Sequence, residues 1–126
     1  IIYSSRHHIG RQIADALARQ KFRPQHRFEM DSYHSILAMV AAGGGWTILS
    51  PLAVLHAARF RDRIDISALP FGPLTRRIML SARRDVLGDM PERIAARLRG
   101  LLQEMIVAPV LAEHPWMAAD LKVIDR

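Results

Sequence analysis

The stretch DSYHSILAMVAAGGGWTILSP, residues 31–51, decides the fold class of this 126-residue chain. Its first half carries apolar residues at helical spacing, and Asp31 or Ser32 stands where a helix N-cap is expected. The glycines at 43–45 end that helix, because glycine enters the left-handed region without steric cost. The aromatic, β-branched and apolar residues 46–49 predict a buried strand, and the Ser-Pro pair after them predicts another helix start. A helix, a buried strand and a second helix in succession indicate an open α/β sheet.

The rest of the chain continues this alternation of strands and helices. Besides the strand at 46–49, period-two patterns and apolar runs predict strands at residues 1–3, 27–30, 64–69 and 77–82. Apolar residues recur at helical spacing in three further segments, which predict helices over residues 6–20, 51–58 and 91–107. The order β-α-β-α-β-α-β-β-α predicts a mostly parallel sheet with helices on its faces.

The composition excludes several classes of protein. Half of the residues are hydrophobic, so we expect one domain with a real core rather than a disordered chain. There is no cysteine, hence no disulfide framework and no thiolate zinc site. The six histidines do not have the i, i+4 spacing of a helical zinc site, and no apolar run approaches the roughly 20 residues of a membrane span. We therefore expect no metal, no cofactor and no membrane contact.

Polar side chains follow the first two predicted strands at their carboxyl ends. They are Ser4, Ser5, Arg6, His7 and His8 after the first strand, and Asp31 and Ser32 after the second. Ligands of open α/β sheets bind at this edge, and the amides at a helix start favour anions. We therefore expect a ligand-binding site here, with the loop over residues 4–8 as the first candidate. Ordinary capping and turn chemistry is an alternative explanation of the same residues, and it stays open.

The central stretch resembles the C-terminal effector-binding (substrate-binding) domain of LysR-type transcriptional regulators. The segments that carry the resemblance are Asp31-Ser32, Met39-Val40-Ala41-Ala42-Gly43-Gly44-Gly45, Trp46 to Leu49, and Pro51. Less specific segments fall in the family's order, namely Ile2-Tyr3-Ser4-Ser5 with Ile9-Gly10-Arg11, and residues 27–31, 64–70, 77–83 and 91–102. Gly44 departs from the family, which usually has a larger apolar residue there, so we expect a looser helix end.

The resemblance implies an α/β fold of the periplasmic-binding-protein-like type 2, with a small effector bound between two lobes. Residues 1–75 would form the second lobe, and residues 76–126 the crossover strand, long helix and tail that return to the first lobe. The chain begins inside a predicted strand, so we expect a fragment in which the rest of the first lobe and the DNA-binding head are missing.

The resemblance also implies a cytoplasmic sensing domain with a small-molecule effector, expected to be an anionic metabolite. It would act on DNA through an N-terminal helix-turn-helix that is missing here. Association of the regulator into a homodimer or homotetramer is also implied.

Two other functions stay open, a solute-binding protein of the same fold and a basic nucleic-acid-binding module. The sequence pI of about 11.0 suggests the module, but the arginines are spread along the chain, which favours a solvated face. We do not expect an enzyme, because there is no G-x-S-x-G nucleophile motif. The glycine run follows a helix and precedes a strand, which is the reverse of a phosphate-binding loop.

Overall fold

The computed structural model describes residues 1–25, 28–56, 58–83 and 85–124, with the backbone alone at position 54. The chain divides into two compact units, Ile1–Leu74 and Thr75–Arg126. That these units are the two parts implied by the resemblance stays a prediction.

The first unit begins with two short parallel strands and the helix that connects them. Strand β1 spans Ile2–Tyr3, helix α1 spans His8–Arg19, and strand β2 spans Glu29–Met30. In the parallel register Ile2 lies opposite Glu29, and Tyr3 lies opposite Met30. A parallel pair needs a crossover connection, which α1 supplies. The predicted strand–helix–strand order is confirmed here, although residue 27, where the second strand was expected to begin, lies outside the described residues.

Helix α2, Tyr33–Ala41, ends in a closely packed turn. The Gly44 amide donates to the Met39 carbonyl at 2.9 Å, and the Gly43 amide donates to the Val40 carbonyl at 2.9 Å. With Gly43 at φ +82°, these two hydrogen bonds form a Schellman motif. A Cβ atom on Gly44 would lie 2.9 Å from the Met39 carbonyl oxygen. The expectation of a looser helix end at Gly44 is therefore wrong.

Helix α1 closes with the same motif around a residue that is not glycine. Lys21 has φ +55°, and its amide donates to the Ala18 carbonyl at 2.9 Å. The next amide, that of Phe22, donates to the Leu17 carbonyl at 2.9 Å. The backbone of Lys21 therefore has the left-handed conformation that favours glycine.

The second half of the first unit folds over α2. Helix α3 spans Pro51–His56, within the predicted segment 51–58, and a 3₁₀ helix follows over Ala58–Arg63. Leu37 of α2 and Phe60 of the 3₁₀ helix form the centre of a hydrophobic cluster. Partly buried residues pack around it: Tyr33, Ala41, Leu49 and Ile64. This cluster fixes the 3₁₀ helix against α2.

Three of the predicted strands are wrong. Within the described residues the sheet has two strands, and the segments 46–49, 64–69 and 77–82 belong to neither. A strand exists only where a neighbour pairs with it, and strand preference largely measures packing against such a neighbour. The segment at 46 does approach β1, because the Ile1 nitrogen donates to the Trp46 carbonyl at 2.9 Å. In the segment at 77–82, apolar side chains lie open to solvent instead.

The second unit is built on one long, interrupted helix. Helix α4 spans Met90–Leu102, a π-helical turn spans Gln103–Val107, and helix α5 spans Ala108–Glu113. The predicted helix over 91–107 is confirmed and continues further than expected. Pro109 has no N–H for the ordinary helical bond, which explains a widened turn just before it. A short 3₁₀ helix, Pro115–Met117, follows in the tail.

Candidate ligand-binding site

Ser4 anchors the loop between β1 and α1 from inside. It is almost fully buried, at 1% exposure, and its amide donates to the Met30 carbonyl at 2.8 Å. Its Oγ accepts hydrogen bonds from the backbone amide and the Nε of Arg6, at 3.3 and 3.4 Å. The Ser4 carbonyl accepts the His7 amide at 3.1 Å. Ser4 therefore positions the residues that follow it, and its hydroxyl is turned away from solvent.

Gly10 lets helix α1 lie directly against this loop. A Cβ atom at position 10 would stand 2.1 Å from the Ser4 carbonyl oxygen and 2.7 Å from that of Tyr3. Only a residue without a side chain fits such an approach of two backbones. Gly10 is thus part of the framework of the site, and a glycine in the first turn of a helix is the sequence signal for it.

Three charged or titratable side chains meet where β1 and β2 end. Arg6 Nη2 forms an ion pair with Asp31 Oδ2, and His7 Nε2 lies 3.3 Å from Asp31 Oδ1. Each oxygen of the Asp31 carboxylate therefore faces one nitrogen of the β1–α1 loop. The three side chains are 78%, 47% and 48% exposed, in the order Arg6, His7, Asp31. The cluster is thus open to solvent and to small solutes.

Glu29 and Arg11 also form hydrogen bonds with the backbone of this loop. Glu29 Oε1 accepts the Ser5 amide at 3.2 Å. Arg11 Nη1 donates to the carbonyls of Ser5 and Arg6, at 3.2 and 3.1 Å. Sequence reasoning missed both residues. The signal for Glu29 is its position two residues before Asp31, which places both carboxylates on one face of an extended chain.

His8 and Ser32 lie at the starts of the two helices rather than inside the cluster. His8 is the exposed first residue of α1, after the N-cap residue His7, and Ser32 is the N-cap residue of α2. Neither N-cap makes a side-chain capping bond, so the predicted cap at Asp31-Ser32 is wrong. Asp31 is bonded to Arg6 instead. The N-terminal ends of α1 and α2 are therefore free of side-chain caps, a state that favours anions.

The ring of Tyr3 meets the ring of His7 edge-on, with centroids 5.2 Å apart, and this contact orients the imidazole. Across the described ranges of the chain, no cluster of three or more histidine, aspartate or glutamate side chains is placed to hold a metal ion. In those same ranges, no helix has the length and apolar character needed to cross a membrane.

One comparison with known proteins gives a match. The family model described as LysR substrate binding domain matches residues 1–105. This range includes the candidate site, all of helix α4 and the first three residues of the π-helical turn. No curated protein and no solved structure matches the chain significantly. Domains of this family have a periplasmic-binding-protein-like fold and belong to transcription regulators rather than to enzymes. This chain, matched over 105 of its 126 residues, belongs to the LysR substrate-binding domain family.

Proposed function

We propose that this chain is the ligand-sensing domain of a LysR-type transcriptional regulator, with a small anionic effector. Membership of the family supports a sensing role in transcription regulation. The effector would bind between the lobes of the domain, with the β1–α1 loop and the start of α2 as one wall. The residues assigned to that wall are Ser5, Arg6, His7, His8, Asp31 and Ser32, and the buried Ser4 supports them from beneath.

The observation that carries the anionic assignment is the set of donors at this edge. Arg6 and His7 lie beside helix starts that have no side-chain cap. A guanidinium binds a carboxylate or phosphate through charge-assisted hydrogen bonds, and the amides of a helix start add partial positive charge. A small anion that took the place of the Asp31 carboxylate would find both kinds of donor close to one another.

The signal would pass to DNA through a change of arrangement. An effector that binds one arrangement of the domain more tightly than another raises the population of that arrangement. In the complete regulator this shift would alter how an N-terminal helix-turn-helix, held in a homodimer or homotetramer, meets its DNA. The family supports this cytoplasmic, oligomeric and DNA-linked role.

A thermal-unfolding screen tests the anionic assignment. The 126-residue chain would be heated with a panel of small carboxylates and phosphates, each paired with its neutral amide or alcohol. We expect at least one anion to raise Tm in a saturable way, because a ligand at 100 times its Kd stabilises by about 2.7 kcal/mol. Its neutral counterpart should leave Tm unchanged.

Two matched arginine variants locate the binding. Arg6→Gln should abolish the shift in Tm, whereas Arg76→Gln, an exposed arginine of the other unit, should retain it. Both variants lose the same charge, so a difference between them reports the place and not the net charge. A panel without a saturable shift, or a shift that survives in Arg6→Gln, would refute the assignment.

A further inference from the structure

The anion-binding donors of the β1–α1 loop already hold a carboxylate, and that carboxylate belongs to the chain itself. Asp31 forms an ion pair with Arg6 through Oδ2, and its Oδ1 lies 3.3 Å from His7 Nε2. We call these two contacts the Asp31 bridge. A bound carboxylate effector would need the same two side chains in the same geometry. We propose that the Asp31 bridge is an autoinhibitory contact, which a carboxylate effector must displace in order to bind. This proposal rests on the proposed function.

The Asp31 bridge is one of two carboxylate contacts that residues 29–31 make with the loop. Glu29, two residues earlier, accepts the Ser5 amide through Oε1 at 3.2 Å. The two carboxylates thus contact a backbone amide and two side chains of residues 5–7. In this state, an anion that approaches the loop meets groups that are already in contact with Asp31 or Glu29.

The Asp31 bridge is exposed, whereas the residue that supports it is buried. Arg6 is 78% exposed and Asp31 48% exposed at their side chains, and exposed ion pairs are weak. Ser4 beneath them is buried, and it holds both the amide and the Nε of Arg6. Loss of Asp31 therefore leaves the Arg6 backbone where it is and frees its outer nitrogens. A carboxylate from solution could then take the place that the Asp31 carboxylate occupies.

The physical consequence is a lowered apparent affinity for anions. When only a fraction of molecules has the donors free, the measured Kd rises by the inverse of that fraction. The Asp31 charge also repels any anion that approaches the loop. Removal of that charge with retention of the side-chain shape should increase the affinity for a carboxylate.

The test is a titration with succinate, followed by NMR shifts of the backbone and of the arginine side chains, at fixed pH and ionic strength. We expect Asp31→Asn to bind succinate about two- to fivefold more tightly than the unchanged chain. This range is the free energy of an exposed ion pair expressed as a ratio of Kd values. Asp65→Asn is the control, because it removes the same charge from an exposed residue outside the cluster. It should leave the Kd unchanged, and succinamide should bind neither protein.

The possible outcomes separate this proposal from the proposed function. Succinate binding that needs Arg6 but is no tighter in Asp31→Asn would overturn the autoinhibitory contact and leave the anion site standing. A loss of stability in Asp31→Asn without a gain in affinity would show that the bridge only pins the loop, and would also overturn it. If Arg6→Gln binds as well as the unchanged chain, both proposals fail. Far-UV circular dichroism of each variant checks that it is folded.

Discussion

The contact between Gly10 and the β1–α1 loop makes the sharpest prediction about stability. In Gly10→Ala the added Cβ would meet the Ser4 carbonyl oxygen at 2.1 Å, its carbon at 2.7 Å and the Tyr3 carbonyl oxygen at 2.7 Å. These are backbone atoms, so the clash is relieved only if α1 moves away from β1. Overpacking of this kind costs about 1–3 kcal/mol and sometimes more. The helix preference of alanine returns at most about 1 kcal/mol.

Because the clash is with backbone atoms, its cost lies at the upper end of that range, and the net expectation is a loss of about 2 kcal/mol in the free energy of unfolding of the first unit. Gly100→Ala is the matched control, since Gly100 also lies inside a helix but a Cβ there meets nothing within 4 Å. The same substitution should therefore stabilise the second unit by up to about 1 kcal/mol. One tryptophan in each unit serves as a probe, Trp46 in the first and Trp116 in the second.

The assay is urea unfolding followed by tryptophan fluorescence in matched single-tryptophan backgrounds. Trp116→Phe leaves the reporter of the first unit, and Trp46→Phe leaves that of the second. The account requires effects of opposite sign from one and the same glycine-to-alanine change. Equal stability of Gly10→Ala and its parent protein would refute the packing of α1 on the loop.

Three further predictions concern helix ends. Lys21→Gly should raise the free energy of unfolding by about 0.5–1 kcal/mol in urea titrations. A non-glycine residue in the left-handed region costs about 1–2 kcal/mol, and the greater entropy of a glycine in the unfolded chain cancels part of the gain. A decrease would contradict the Schellman turn at this helix end. Gly44→Ala should lower the stability to thermal unfolding by about 1–3 kcal/mol, because the new Cβ would meet the Met39 side chain at 2.7 Å and the Met39 carbonyl oxygen at 2.9 Å. An unchanged Tm would contradict this close packing of the helix end. Arg63 Nη2 donates to the carbonyl of Ala41, the last residue of α2, at 3.3 Å, so its charge lies at the negative end of the helix dipole. Arg63→Gln should lower the free energy of unfolding by about 0.3–1 kcal/mol at low salt and by less at high salt. A loss independent of salt would argue against this charge–dipole explanation.

Local signals explain why the order from β1 to α2 could be predicted from the sequence. Apolar spacing marks α1 and α2, and the glycine run at 43–45 marks the end of α2. The segments 46–49, 64–69 and 77–82 could not be assigned in this way. Their apolar side chains indicate that these segments could be buried in a sheet. A strand also needs a neighbouring strand at hydrogen-bonding distance, which a local pattern does not reveal. In the segment at 77–82 that side-chain surface is open, with Ile78 73% and Met79 75% exposed.

The candidate site was predictable only as a place in the fold. The rule that ligands lie at the carboxyl ends of strands pointed to the loop over 4–8 and to Asp31. The sequence alone could not show that Arg6 and His7 share Asp31, because this depends on the register that sets Tyr3 opposite Met30. The contact of Glu29 with the Ser5 amide depends on the same register, and the contacts of Arg11 depend on how the loop turns into α1.

The measurement that tests the central claim most directly is an NMR map of anion binding on the 126-residue chain. It would use the anion that gives the largest saturable rise of Tm in the screen, with its neutral counterpart as reference. The account predicts that the shift changes concentrate at residues 4–8 and 31–32 and in the Arg6 side chain, and that they saturate with one Kd. Changes centred elsewhere, or changes that the neutral compound reproduces, would contradict the account.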